Sequence, residues 1–464
     1  LLADDQRAVE QIVGEDDVLV AVDLADELLN SADCVDVCRA AACDDAFFNK
    51  FWEKGLRTLY VNMRDTYFDC PDRERAQWWG DASVLMGECF YTYSTSVHQL
   101  MKKAILELCH WRKDDNTIYS PIPGNYGSEL PAQMLASVGL YGFWNYYMNT
   151  GDKETLAEVY PYVCDYLDVW KTDETGLTAE RHGGWDWGDW GDNRDIRLIY
   201  AGWHYMALDA ASRMADELDK NGEARDFRKT MEKVKDGYNK CWNGTAYRHP
   251  GFNDDTDDRV QALAVLSGIA ESDKYDQITQ LLHTQKHASP YMEKYVMESL
   301  FKMNQGEYAM ERVRERFDEM VSDPNNTTLY EGWGIGANGY GGGTTNHAWS
   351  GGSLTVISQC LMGIRPVKPG WKRFEINPQF VRFQKAAITV PTILGTVGTS
   401  FRKANGKTEI RVTVPQGSEA LLYLPVKSIH DVSGKIQYQT TDQAVQKEGK
   451  VCLLLPEGKY KYTF

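Results

Sequence analysis

Two kinds of hydrophobic spacing divide the chain. From Asp45 to about residue 365, apolar residues recur every three to four positions, the spacing of helices that bury one face. The segment FFNKFWEKGLRTLYVNM shows it first, with Phe48, Trp52, Leu56, Leu59 and Met63 on one side. The same spacing predicts further helices over 80–93, 95–111, 129–149, 152–171, 196–219, 221–241, 257–270, 273–284, 290–304, 306–320 and 346–362. Thr150-Gly151-Asp152 and Lys220-Asn221-Gly222 each read as a stop that also starts the next helix. Short and long connections alternate, which groups the helices into six hairpins. Closed on themselves, six hairpins make an (α/α)6 barrel, and left open they make a solenoid. The barrel is preferred because loops rich in Gly, Trp, Asp and Asn recur on alternate connections, as they would along one rim.

Past Pro366-Val-Lys-Pro-Gly-Trp371 the period becomes two. Strands are expected at Phe374 to Ile376, Ala387 to Val390, Thr396 to Phe401, Thr408 to Val414, Ala420 to Leu424, Val451 to Leu455 and Tyr460 to Phe464. Turns such as Asn405-Gly406 and Glu457-Gly458 separate them. The expected division is therefore a barrel over 45–365 and an all-β sandwich domain over 366–464. Residues 1–44, acidic and with one alternating fragment, fit the remnant of a preceding β-rich domain or a linker.

Composition adds exclusions. The chain has 464 residues and a net charge of −17, with no Lys/Arg-rich run, so nucleic acid and anionic membrane surfaces are poor partners. No apolar run is long enough to cross a bilayer. Ten cysteines show neither a CxxC pair nor zinc spacing. The start carries neither an initiator Met nor a signal-peptide pattern, so the compartment stays open, with periplasm or secretion preferred to cytoplasm. The anomaly is 14 Trp and 26 Tyr, which build cores but also stack on sugar rings when grouped with carboxylates.

Three stretches group them so. DCPDRERAQWWGD (Asp69 to Asp81) packs Asp69, Asp72, Glu74 and Asp81 around Arg73, Arg75, Trp78 and Trp79. Crowded carboxylates beside an apolar wall raise one another's pKa, which keeps a carboxylic acid able to donate a proton near neutral pH. A helix starting near Pro71 would put Glu74, Trp78 and Asp81 on one face, with Asp69 as its cap. The plainer reading is that these acids only neutralise a helix N-terminus. TTLYEGWGIGANGYGGGTTNHAWS (Thr327 to Ser350) places Glu331 between Tyr330 and Trp333, before a glycine-rich loop ending at Asn346-His347. GGWDWGDWGD (Gly183 to Asp192) alternates Trp185, Trp187 and Trp190 with Asp186, Asp189 and Asp192, a pattern suited to a sugar subsite. A fourth stretch, Asn253 to Arg259, reads as a solvated loop from which Asp258 could reach the cleft. Two separated carboxylates, one acid-shifted, are the minimal apparatus of glycoside hydrolysis, and composition alone does not choose between inversion and retention.

The first stretch resembles the acid motif DCPxRxERxxWxGD of the α-L-rhamnosidases of glycoside hydrolase family 78, in its one-residue-shorter form. TTLYEGW followed by TTNHAWS looks like the family's second motif, with Tyr330 where Trp is usual. Residues 43 to 362 look like the family's catalytic domain, and PGWKRFEINPQ like the start of its C-terminal sandwich. The resemblance implies Glu74 as general acid, Glu331 as general base acting through water with inversion, and no cofactor or metal. It implies that Asp69 and Asp81, with Arg73, hold sugar hydroxyls, that Trp78 and Trp190 flank the ring, and that His347 touches the sugar or orders the base. Trp187, Asp189 and Trp333 complete the expected contacts. The expected partner is a rhamnose-containing glycan or glycoside. The alternatives are an (α/α)6 glycosidase for an L-fucose-like or uronic acid residue, and a catalytically silent glycan-binding protein.

Overall fold

A computed structural model describes residues 41–118, 120–122, 129–181, 184–334, 343–434, 444–447 and 449–464. Most of the 1–44 segment and the tip of the glycine-rich loop, 335–342, lie outside the described residues. A short strand, β1 (Ala41–Cys43), leads into helix α1 (Ala46–Val61), which Asp45 caps by accepting from the Phe47 amide. There follow α2 (Trp79–Thr92), α3 (His98–His110), α4 (Pro131–Val138), α5 (Phe143–Thr150), α6 (Lys153–Asp168), α7 (Ile196–Glu217), α8 (Asn221–Asn239), α9 (Asp258–Ser267), α10 (Tyr275–Thr284), α11 (Pro290–Lys302), α12 (Gly306–Ser322) and α13 (Gly352–Val356).

Helices α2, α4, α7, α9, α11 and α13 each pack against the next, and α13 returns to α2. That closed ring decides for the barrel over the solenoid. Its members are buried on nearly all sides: every residue of α2 and of α4 is buried. The outer α8 and α12 instead keep long charged faces in solvent. The segments leading into α2, α4, α7 and α13 all contribute to the lining of one cavity.

Several boundaries differ from the sequence reading. The expected helix over 129–149 is two helices, because the chain turns a corner at Gly139–Gly142. A Cβ on Gly142 would stand 1.9 Å from the Ser137 carbonyl oxygen. Gly151 takes the left-handed conformation (φ 68°) that ends α5, and Asp152 caps α6, as the motif implied. At the other break Asp219 (φ 61°) makes the left-handed turn and Gly222 lies inside α8. The expected helix over 346–362 is a 3-10 turn, then α13, then a wider π turn over Ile357–Leu361.

Beyond the barrel lie two sheets. One has the order β1-β4-β5-β6-β11-β8, with β4 (Lys385–Thr392), β5 (Gly395–Ala404), β6 (Lys407–Val414), β8 (Ser433–Gly434) and β11 (Gly458–Thr463). The other runs β2-β3-β7-β10-β9, with β2 (Ile364–Lys368), β3 (Arg373–Ile376), β7 (Glu419–Leu424), β9 (Ala444–Lys447) and β10 (Lys450–Leu455). All seven expected strands are present. Alternation is clean in β6, where Ile410, Val412 and Val414 point inward. Strand β2, which is not among the expected strands, holds Pro366; proline is tolerated there because β2 is an edge strand. Ala41–Cys43 pairs antiparallel with Ala386–Ile388 of β4, so the first described strand completes a C-terminal sheet.

Candidate active site

The stretch from Asp69 to Trp78 is not the helix its spacing suggested. Asp69 closes it into a loop: its amide donates to the Ala76 carbonyl (3.0 Å), and its Oδ1 accepts from the Ala76 amide (2.9 Å). Arg75 sits at φ 50° inside this loop, and α2 begins only at Trp79. The carboxylate that was expected to cap a helix is spent on a turn. The loop pushes Arg73 and Glu74 over the barrel mouth, while Asp81, in the first turn of α2, points into it.

Glu331 reaches the same place from the far end of the chain. Its segment is strapped to the one that follows: the Glu331 amide donates to Thr344 O (3.0 Å), the His347 amide to Leu329 O (2.9 Å), and Trp349 Nε1 to Glu331 O (2.9 Å). Arg73 then joins the halves. Its Nε lies 2.7 Å from Glu74 Oε1 and its Nη2 3.3 Å from Glu331 Oε1. Behind them Thr344 Oγ1 donates to Glu331 Oε2 (2.6 Å) and lies 3.2 Å from His347 Nδ1, and His347 Nε2 lies 2.9 Å from Asp81 Oδ1.

A cavity of about 320 Å³, in the range of small-ligand sites, opens between these groups. Of the expected residues, Asp69, Arg73, Glu74, Trp78, Asp81, Trp187, Trp190, Glu331 and His347 line it. Trp185 and Trp349 add to an indole wall in which Trp187 and Trp349 stack at 6.0 Å. Two expected residues stand outside the wall. Asp189 is fully buried, accepting from the Ser289 amide (2.8 Å) and from Arg259 Nη1 (3.3 Å). Trp333 donates from Nε1 to Ala288 O (2.9 Å) and packs on Phe317. Asp258 does not reach the cleft either, since it pairs with Arg312 (2.9 Å) in the core. Leu130, just before α4, and Gln133, in its first turn, were missed; nothing in LPAQ marks them, and only the fold turns them inward.

Charge is distributed differently from the sequence expectation. Burial raises the Glu74 carboxyl, but hydrogen bonds from Arg73 and Asp69 outweigh it and hold Glu74 below the usual carboxylate range. The acid-shifted groups are its neighbours. Burial, reinforced by Asp81, pushes Asp69 up to about 7, and burial pushes Asp81 well above its ordinary value. His347 is pushed down by burial against the pull of Glu331 and Asp69. Asp69, Cys70 and His347 bring donor atoms within 4.8 Å of one another. Both imidazole nitrogens are already bonded to Asp81 and Thr344, and burial raises the Cys70 thiol to about 11, so the trio is spent on internal bonds.

Helical hairpins closed into a ring, with two glutamates at the mouth of an indole-walled cavity, define the six-hairpin glycosidase class. The family model of the bacterial alpha-L-rhamnosidase 6 hairpin glycosidase domain matches residues 39–361, and that of the bacterial alpha-L-rhamnosidase C-terminal domain matches residues 363–439. The chain belongs to the bacterial α-L-rhamnosidase family. An alpha-L-rhamnosidase of Formosa agariphila is 22% identical across 91% of this chain and 48% of its own length. One from Streptomyces avermitilis is 22% identical across 85% and 39%. Among solved structures, alpha-L-rhamnosidase from Dictyoglumus thermophilum aligns at TM-score 0.80 and 20% identity, covering 91% of this chain and 50% of that one. The Streptomyces avermitilis enzyme complexed with L-rhamnose aligns at 0.78 and 18%, covering 94% and 42%. The chain thus spans less than half the length of these two curated relatives.

Proposed function

We propose that the protein releases terminal α-L-rhamnose from a glycan or glycoside with inversion, Glu74 acting as general acid and Glu331 as general base. The observation that carries this reading is the Arg73 guanidinium standing between the two carboxylates at one cavity. A single guanidinium reaching both carboxylates puts the candidate acid and base at one cavity, the pair that glycoside hydrolysis requires. Asp69, Asp81 and Arg73 hold the sugar hydroxyls, and Trp78, Trp187 and Trp190 wall the ring. The ionised state of Glu74 in the free site gives Arg73 a second role. A sugar that draws Arg73 away lifts the Glu74 pKa, and Asp69, hydrogen-bonded to Glu74, holds a proton beside it.

The test is hydrolysis of a panel of aryl glycosides by wild type, Glu74→Gln and Glu331→Gln. Each variant should lose several orders of magnitude, at least about 10²–10⁴-fold, on the rhamnoside. NMR of the first-formed sugar should show the inverted anomer. Near-full activity in either variant, or a retained anomer, would remove these roles, and cleavage of another sugar alone would remove rhamnose.

A further inference from the structure

The hydrogen bonds behind Glu331 admit few proton arrangements. The Thr344 hydroxyl has one proton and gives it to Glu331 Oε2 at 2.6 Å. Toward His347 Nδ1, 3.2 Å away, it must therefore accept, so Nδ1 carries hydrogen. A neutral imidazole protonated at Nδ1 is an acceptor at Nε2, and Nε2 faces Asp81 Oδ1 at 2.9 Å. Asp81 must then be the donor, as a carboxylic acid. The other arrangement, an imidazolium on an Asp81 carboxylate, puts two charges where both side chains are at most 3% exposed.

We infer that Asp81, His347 and Thr344 form a one-way donor chain ending on Glu331, and that Thr344 is a positioning residue that holds Glu331 aimed as the base. The inference rests on Glu331 being that base. The chain fixes where the site's proton sits. Moving it to Glu331 would require three concerted transfers, from Asp81 to Nε2, from Nδ1 to Thr344 and from Thr344 to Glu331, which would reverse every hydrogen bond of the chain. Arg73 opposes the shift, since it faces Glu331 Oε1 at 3.3 Å and favours the carboxylate there. The other groups facing the chain are Asp69 and Glu74, which disfavour a charged Asp81, and Tyr291, on α11. Thr344 itself is not part of the cavity lining, so it acts through the two lining side chains it bonds, Glu331 and His347.

Two measurements test this. In enzyme labelled with ¹⁵N-histidine, two-bond proton–nitrogen spectra near neutral pH should show the His347 ring, identified by its loss in His347→Gln, with Nδ1 protonated and Nε2 bare. An Nε2–H tautomer or an imidazolium overturns the chain, and this readout needs no substrate, so it is separable from failure of the rhamnosidase reading. In kinetics, Thr344→Val should lower kcat by roughly 10-fold or more with KM nearly unchanged, and Thr344→Ser should restore it. An unchanged kcat in Thr344→Val, or no rescue by Thr344→Ser, equally overturns it.

Discussion

Asp69 is the residue on which the pocket's electrostatics turn. Its carboxyl is raised from 3.8 to about 7, chiefly by burial and further by Asp81, while His347 and the amides of Ala76 and Cys70 act the other way. A folded-state pKa above the unfolded one contributes stability at low pH, and that contribution is lost as pH rises through the folded value. Asp69→Asn keeps an acceptor for the Ala76 amide but cannot ionise. Thermal melts from pH 4 to 9 should therefore show the variant gaining on wild type up to about pH 7 and keeping that gain above it, on the order of 1–4 kcal/mol. Parallel curves for the two proteins would show that Asp69 ionises freely. The crowding of acids in DCPDRERAQWWGD was legible in the sequence; which acid it raises was not. That choice depends on Arg73 folding back onto Glu74, a contact set by the loop rather than by spacing.

At the scale of elements, the site is held by arginines that never touch it. Arg259, in the first turn of α9, pairs with Asp257 (2.7 Å) and Asp189 (3.3 Å) and donates to the carbonyls of Trp190 (3.2 Å), Asp192 (2.7 Å) and Asn193 (3.0 Å). It therefore fastens the tryptophan-bearing loop to an inner helix. Arg259→Met leaves two buried carboxylates unpaired, for which a loss of about 3–5 kcal/mol is expected in urea denaturation. KM should rise more than kcat falls, because the indole wall loosens while both glutamates stay; an unchanged KM would mean the wall stands without Arg259. Helix spans came through in the sequence because their burial patterns are local. The corner at Gly139–Gly142 did not, because it is dictated by close backbone approach, with a Gly139 Cβ only 3.2 Å from Ala207 Cα on α7.

Across the whole molecule, barrel and sheets are one packed body. Trp371, between β2 and β3, is buried, meets Tyr91 of α2 edge-on at 6.4 Å and packs on Phe374 at 5.8 Å. The Tyr91 hydroxyl donates to Ile364 O (3.1 Å), and β1 ties the start of α1 into the six-stranded sheet. Trp371→Ala should cost roughly 3–5 kcal/mol, lowering the denaturation midpoint of both parts together while leaving the pH limbs of activity in place. Two separate transitions would mean the sheets fold independently of the barrel.

The sequence by itself determined the period-3.6 helices, the period-2 strands, the order of the two regions and the acidic and aromatic character of the cleft, because each is written in residues close along the chain. Only the tertiary structure decided that the hairpins close into a ring, and that Glu331 meets Arg73 from 258 residues away. It alone assigned Asp189 and Asp258 to the core and His347 to a hydrogen-bond chain. A carboxylate's function depends on its solvation and its partners, and in this fold those partners come from distant parts of the chain.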